Sequence, residues 1–464
     1  MSPSGREKTA TSVVRLLKQN RELQELNEML TMQNRALLEE IEQLKKQLSE
    51  KQFTEPVKEG HQTLSFRMAT ILFIEIIGFR DITTAENSQA LIDQLDDIKR
   101  HFDSIIEKYN IRKIRTIGDS IMCVGGIPVK NITNPLDVVM AALEMSYYMS
   151  EVQGSKKIWN VRMGIHTGPV TVEMSDDQKT LYDLKGETIN ITSRLQASTE
   201  PGKIIVSAMT YELVKDFFKT SYYAKMPVKF LGQLGMYEVL GLQDELAEDK
   251  ISPNKKFKIR YCLRQFTDLQ EIILDKLEKE LPSYLYYHNV KHTVDVVTEA
   301  ELIGIAEGIN EEELLLLKTA ALFHDVGHIK GYDNHEQYST EIAREILPAY
   351  HYTPEQIDKI CELIMATKMP VKPKNLLEEI ICDSDLDYLG RPDFIPVSND
   401  LYRELKEQNK VGSLNEWNKM QIKFISGHKY YTKTARMLRE VNKSIQIERL
   451  SRLITPEEPA GKAT

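Results

Sequence analysis

The sequence predicts a multidomain chain in three parts: a parallel coiled coil, an α+β domain and an all-α domain. Three observations predict it. Leucines recur every seven residues near the start, strand-like and helix-like runs alternate through the middle, and three-four apolar spacing then continues almost to the end. At 464 residues the chain exceeds what one core serves, and ordinary domain size gives roughly three units.

The coiled coil is expected over residues 12–52. Leu16, Leu23, Leu30, Leu37 and Leu44 form one heptad row, and Val13, Asn20, Asn27, Asn34, Ile41 and Leu48 form the row beside it. Leucine at d with asparagine at a favours a parallel pair in one register, because a buried Asn finds its twin across the dimer axis. A homodimer follows. The polar stretch Ser49–Thr63 then separates this coil from the next unit.

The α+β domain is expected over 66–243. Ala69–Ile76 reads as a buried strand by its aliphatic content, Val161–His166 and Lys203–Ala208 as short strands, and Ser88–Tyr109 and Asn134–Val152 as helices. The mixture predicts a mainly antiparallel sheet with helices on one face. The hydrophilic run Leu246–Lys258 reads as a second linker. The all-α domain is expected over 255–453, with apolar spacing of three and four in Leu302–Ile309, Glu311–Phe323 and Glu336–Leu347, and the tail 454–464 is expected to be disordered.

Composition narrows the function. The net charge of -9 argues against a nucleic-acid surface. No stretch approaches the ~20 apolar residues of a membrane span, and the N-terminus lacks the apolar core of a secretory signal. Cys123, Cys262, Cys361 and Cys382 form no CxxC pair, so reduced core thiols in a cytoplasmic protein are expected.

Two sets of residues carry chemistry. In the middle lie FIEIIGF (Phe73–Phe79), RTIGDS (Arg115–Ser120), VRMGIHTGPV (Val161–Val170) and GETINITSR (Gly186–Arg194). In the last third lie YHNVKH (Tyr287–His292), FHDVGH (Phe323–His328) and DSDLD (Asp383–Asp387), and half of the ten histidines fall between His288 and His335. Each set gathers carboxylates or imidazoles where divalent cations and phosphate oxygens can meet.

By its motifs, the middle segment resembles the class III nucleotidyl cyclases over essentially its whole length. The resemblance implies a ferredoxin-like α+β fold and cyclisation of a nucleoside triphosphate, in which the ribose 3′-oxygen attacks the α-phosphorus and expels pyrophosphate. It implies that Glu75 and Asp119 hold two cations, Mg²⁺ or Mn²⁺, with Glu75 standing where the family usually has Asp. Ile76, Ile77, Gly78 and Phe79 would wrap the phosphates, and Lys229 is the nearest match to the family's phosphate-binding lysine. Asn190 would orient the ribose and Arg194 would meet charge on the α-phosphate; their spacing of four puts both on one helix face. Arg115 and Asp183 match the base-reading positions, and a cation with a carboxylate favours ATP over GTP. In the family each site draws on two protomers, which agrees with the zipper. His166 is expected to be packed.

The last segment resembles the HD superfamily of metal-dependent phosphohydrolases. The resemblance implies that His292, His324 and Asp325 bind a divalent metal such as Zn²⁺, Mn²⁺, Fe²⁺ or Mg²⁺, with Asp385 as last ligand and Asp383 as the alternative. Its motifs are also similar to those of cyclic-nucleotide phosphodiesterases, which would make His288, one turn from His292 on the same helix face, the acid for a leaving 3′-oxygen. His328 would be a neighbour of the metal or a ligand to a second one, with His335 and Glu336 close by. The combined expectation is a signalling enzyme that forms cAMP from ATP and hydrolyses a cyclic nucleotide or other phosphoester. The alternative is an HD phosphohydrolase regulated by a degenerate, nucleotide-binding cyclase-like domain.

Overall fold

In a computed structural model the chain is described at residues 61–78, 88–117, 119–152, 159–175, 181–228, 232–249 and 251–454. The expected coiled coil, Phe79, Lys229 and residues 455–464 of the expected tail lie outside the described residues.

An eight-stranded sheet comes first. Its elements are β1 (His61–Ile77), α1 (Ser88–Lys108), β2 (Arg112–Ile117), β3 (Ser120–Gly125), α2 (Asn134–Val152), β4 (Asn160–Ser175), β5 (Leu181–Lys185), α3 (Glu187–Ala197), β6 (Ile204–Ser207), α4 (Ala208–Val214), β7 (Phe218–Val228) and β8 (Gly232–Leu242). The strand order is β2-β3-β1-β4-β6-β8-β7, with β5 on β4. β1–β3, β2–β3, β6–β8 and β7–β8 pair antiparallel, and β4 runs parallel to β6.

The two faces of this sheet are unlike, because successive strand residues point opposite ways. Leu72, Ile74 and Ile76 of β1, Met163 and Ile165 of β4, and Ile204 and Val206 of β6 share one core with α1 and α2. Helix α1 fits that face through Leu91, Leu95, Ile98, Phe102 and Ile105, spaced by four and three. The residues between those strand positions face the other way. Ile205 packs there with Ile191 and Leu195 of α3 and Met226, Val228, Leu234 and Met236. The expectation of helices on one face is therefore corrected: α3 covers the second face. Local chemistry permits its approach. Gly186, at φ 143°, makes the turn into α3, and a Cβ on Gly164 of β4 would lie 2.4 Å from the Gln196 nitrogen.

The helical part follows: α5 (Lys255–Glu280), α6 (Val290–Glu307), α7 (Glu311–Phe323), α8 (His335–Ile346), α9 (Pro354–Ala366), α10 (Leu376–Asp385), α11 (Phe394–Glu407), α12 (Leu414–Gly427), α13 (Lys433–Ala435) and α14 (Val441–Leu453). One apolar core unites Leu269 and Ile273 of α5, Val296 and Ile303 of α6, Ala320 and Phe323 of α7, Ile360 and Ile364 of α9, and Ile380 and Ile381 of α10. Asn289, Asn310 and Thr353 cap the starts of α6, α7 and α9 by accepting backbone N–H bonds.

The run expected as a second linker is docked rather than loose. Leu246 and Phe257 are buried in the sheet-domain core, and Asn254 caps α5. Helix α5 is anchored to the start of α2. The Tyr261 hydroxyl donates to Asp137 Oδ1 at 2.8 Å and lies 3.0 Å from the Thr133 hydroxyl, and Asp268 Oδ2 accepts from the Ile132 nitrogen at 2.8 Å. Burial pushes the Asp137 carboxyl up to about 7, against hydrogen bonds from Tyr261, Thr133 and Asn131 that pull it down. Because the folded chain holds this proton more tightly than the unfolded chain, stability contributed here falls as pH rises from the unfolded value through about 7. Asp137→Asn is expected to flatten that dependence and to raise the thermal midpoint at pH 8 while changing it little at pH 5. Melting curves at both pH values check this.

Candidate active sites

The helical part brings its predicted residues to one point. Asn289 fixes the first turn of α6 by accepting from the His292 nitrogen at 3.1 Å. Helix α7 ends at Phe323, so His324 is its C-cap and Asp325 leads into the 3₁₀ turn Val326–Ile329. Ser339 of α8 locks that turn, accepting from the Gly327 nitrogen at 2.8 Å and donating to the His324 carbonyl at 2.7 Å. Gly327 is required there, since a Cβ would lie 1.9 Å from the His335 carbonyl oxygen. Asp385 arrives on the last residue of α10.

Four ligand atoms then converge. His292 Nε2 lies 3.3 Å from His324 Nε2, 3.3 Å from Asp325 Oδ2 and 3.2 Å from Asp385 Oδ1. His324 Nε2 lies 3.2 Å from Asp325 Oδ2 and 3.6 Å from Asp385 Oδ1. Metal–ligand bonds of about 2.0–2.2 Å in a tetrahedron set neighbouring ligand atoms roughly 3.3–3.6 Å apart. The spacing and donor types therefore fit a divalent cation. The His324 tautomer fits as well: Nδ1 donates to the Ala321 carbonyl at 2.8 Å, which leaves the Nε2 lone pair facing the cluster. Burial disfavours charge here, yet the mutual contacts dominate. Asp325 is held well below the ordinary carboxylate range by His324 and His288, and His324 well above the imidazole range by Asp325 and Asp385. A cation must compete with those protons, so its affinity falls with pH.

Asp325 also faces a second group. Its Oδ1 lies 3.4 Å from His335 Nε2 and 3.9 Å from His328 Nε2. His328 is 2% exposed and stacks on His335 with ring centroids 3.9 Å apart. Burial pushes the His328 imidazole down to about 2, so it stays neutral.

Two expectations about this site are corrected. Asp383 does not join the cluster: it is 0% exposed, and its carboxylate accepts from the Tyr431 nitrogen, the Thr432 nitrogen and the Thr432 hydroxyl at 2.7–3.1 Å. Two residues on from Asp383 in a helix, Asp385 points elsewhere, into the cluster. His288 is not on the face of α6, which starts at Val290; it lies just before the Asn289 cap, with its ring centroid 5.9 Å from that of His292.

His288 is held instead by a residue that sequence reasoning missed. Glu404 Oε1 meets His288 Nδ1, and Glu404 Oε2 accepts from the Tyr287 and His288 nitrogens at 3.0 and 3.1 Å. Nε2 is the His288 nitrogen left for the Asp325 cluster. A signal existed: Glu404 continues the four-three spacing of Val397 and Leu401, which pack on the core. A cavity of about 190 Å³ opens beside the cluster, lined among others by Tyr287, His292, Asp295, Asp385, Tyr388 and Arg391. Arg391 is forked onto Asp393 at 2.6 and 2.9 Å and reaches Asp295 at 2.8 Å.

The sheet domain places its predicted residues differently. Glu75 pairs in register with Ser120, and Asp119 precedes it in the turn. The Ile76 nitrogen donates to the Asp119 carbonyl at 2.9 Å, so it is not presented to a phosphate, which corrects that expectation. Ile77 and Gly78 are half-buried at the strand end, with Gly78 at φ 124°. Glu75 Oε2 accepts from Arg162 Nε at 2.6 Å and from Gln196 Nε2, so its carboxylate is already engaged by protein groups and does not fit the expected pair of cation-holding acids. Asn190 and Arg194 are exposed on α3, and among the described residues no hydrogen bond or ion pair ties them to Glu75 or Asp119. Arg115 and Asp183 face each other at 3.6 Å in a cavity of about 170 Å³ that Phe73, Met122 and Ile189 also line. His166 is packed, with Nδ1 2.7 Å from the Ser207 hydroxyl, and burial pushes its imidazole down to about 4.

Comparison with known proteins assigns both parts. Residues 62–241 match the adenylate and guanylate cyclase catalytic domain, and residues 289–388 match the HD domain. The human guanylate cyclase soluble subunit beta-2 is 30% identical over 227 residues, 48% of this chain and 36% of its own length. Human guanylyl cyclase C is 31% identical over 175 residues, 37% of this chain and 16% of its own length. The chain thus spans about a third or less of these relatives. Among solved structures, the adenylyl cyclase CyaB from P. aeruginosa is 27% identical, with a TM-score of 0.36 over 40% of this chain and 100% of that one. No helix among the described residues is long and apolar enough to cross a membrane.

The geometry separates the two candidate aspartates by experiment. Asp385→Asn is expected to weaken Mn²⁺ or Zn²⁺ binding by at least roughly tenfold with little change in stability. Asp383→Asn is expected to destabilise the fold, since one of its two acceptor oxygens becomes an NH₂ facing the Tyr431 or Thr432 donors, while bound metal per folded chain stays unchanged. Elemental analysis alongside denaturation checks both.

Proposed function

From a chain that joins an adenylate and guanylate cyclase catalytic domain to an HD domain, we propose a cyclic-nucleotide signalling enzyme that forms a cyclic purine nucleotide and hydrolyses a phosphodiester of the same class. The convergence of His292, His324, Asp325 and Asp385 on one point beside the Glu404–His288 pair carries this reading.

At the HD centre, His292, His324, Asp325 and Asp385 would hold a divalent cation, which would supply Lewis acidity and lower the pKa of water. The chain's own residues do the rest. Asp325 and Asp385 bring negative charge to the cluster, and the His324–Ala321 bond keeps the imidazole in its binding tautomer. Glu404 holds the His288 ring through Nδ1, which leaves Nε2 as the atom that delivers a proton to a leaving 3′-oxygen. Tyr287 and Tyr388 give the neighbouring cavity apolar walls, and Arg391 gives it a fixed cation.

At the sheet domain, Asn190 and Arg194 act on the ribose and the α-phosphate, and the Arg115–Asp183 pair reads the base. Their exposure on α3 suits a site completed by a second copy of the chain, which supports the homodimer. Asp183 favours ATP. GTP is the second substrate reading, because the two relatives described above are guanylate cyclases. The engagement of Glu75 favours a second reading of the whole domain, as a nucleotide-binding regulator of the HD centre.

Two assays test this. The Asp325→Ala chain, given Mn²⁺ and ATP or GTP, is expected to accumulate the 3′,5′-cyclic product; absence of both products supports the regulatory reading. His288→Ala is expected to lower kcat for cyclic-nucleotide hydrolysis by about 10²–10⁴-fold with metal content retained. An unchanged kcat removes His288 from the reaction.

A further inference from the structure

Glu75 stands where the resemblance to the cyclases implies an aspartate, and its surroundings explain what the longer side chain does. Glu75 of β1, Arg162 and Gly164 of β4, and Gln196 of α3 lie on the same face of the sheet, opposite the face that packs on α1 and α2. One oxygen, Glu75 Oε2, accepts from both Arg162 and Gln196. The contact is backed by packing, since the Gln196 backbone rests on β4 where Gly164 leaves no Cβ in the way. Gln196 is buried, and it sits two residues beyond Arg194 on the helix that also carries Asn190. Glu75 thus joins two strands to the end of α3. Asp is shorter by one C–C bond of about 1.5 Å and does not reach as far.

We propose that Glu75 is a positioning residue, a strut from β1 to β4 and α3 that orients Asn190 and Arg194, and that Asp119 rather than Glu75 meets a cation in this domain. The Arg162 guanidinium is paired with Glu75, so a fixed protein cation already stands at that carboxylate. The inference rests on the proposed placement of a nucleotide site in this domain only for its statement about Asp119; the strut itself does not depend on turnover.

The strut and the ligand readings make opposite demands on two variants. Glu75→Asp keeps a carboxylate but loses reach. Glu75→Gln keeps reach but loses charge. Hydrogen exchange of the α3 amides in the full chain, without added metal, reads the strut. Mn²⁺ affinity in the presence of α,β-methylene-ATP, measured by electron paramagnetic resonance in the Asp325→Ala background, reads the ligand. The strut predicts exchange faster by about tenfold in Glu75→Asp and a smaller change in Glu75→Gln, since opening of α3 sets that rate. It also predicts that Glu75→Gln keeps its Mn²⁺ affinity while Asp119→Asn weakens it by at least roughly tenfold. Unchanged α3 exchange in Glu75→Asp, with Mn²⁺ affinity lost in Glu75→Gln, overturns the proposal. Faster exchange in Glu75→Asp, with no Mn²⁺ binding in the Asp325→Ala chain itself, upholds the strut and sinks the cyclase reading instead. Should the Asp325→Ala background fail to fold, the exchange measurement on the otherwise native chain decides the strut unaided.

Discussion

The Asp325 carboxylate is the constraint on which the helical half depends. Its Oδ2 faces His292 and His324, and its Oδ1 faces His328 and His335. A nearly buried carboxylate among so many imidazoles is costly unless they carry charge or share a cation. That demand explains the local architecture. The 3₁₀ turn after α7 is clamped by Ser339, its glycine lies against α8, and α10 ends so that Asp385 closes the cluster. Each device removes freedom from a group that has to meet Asp325 or its partners.

The sheet domain uses a carboxylate in the opposite way. Glu75 stands in a position from which it could face a cation, but Arg162 and Gln196 reach it first. What separates a ligand from a strut is the company on the facing elements. Imidazoles, whose ring nitrogens can give up a proton and bind a cation, surround Asp325, whereas a guanidinium and a side-chain amide, both donors toward the carboxylate, surround Glu75. Residue type does not distinguish these cases. The same lesson holds within one helix turn, where Asp383 caps the Tyr431–Thr432 backbone and Asp385 joins the cluster.

Much of this was legible in the sequence, for physical reasons. The adjacent His324–Asp325 pair and its helical neighbours are local patterns, and aliphatic runs such as Ala69–Ile76 mark buried strands. Features that depend on distant partners were not legible. Glu404 is 116 residues from His288, and its role appears only when α11 packs against the start of α6. The face taken by α3 depends on which side of β6 Ile205 occupies, and a short, wholly buried strand shows no alternation to reveal it. Leu246–Lys258 looked like a linker because its charges are abundant, while Leu246 and Phe257, the two residues that dock it, are diluted among them.

The most direct test of the central claim is the fate of the phosphorus when metal-loaded chain meets cyclic AMP or cyclic GMP in H₂¹⁸O. The account predicts the 5′-monophosphate with one ¹⁸O on phosphorus, since water attacks there and His288 protonates the departing 3′-oxygen. No turnover, or release of the 3′-monophosphate, would contradict it.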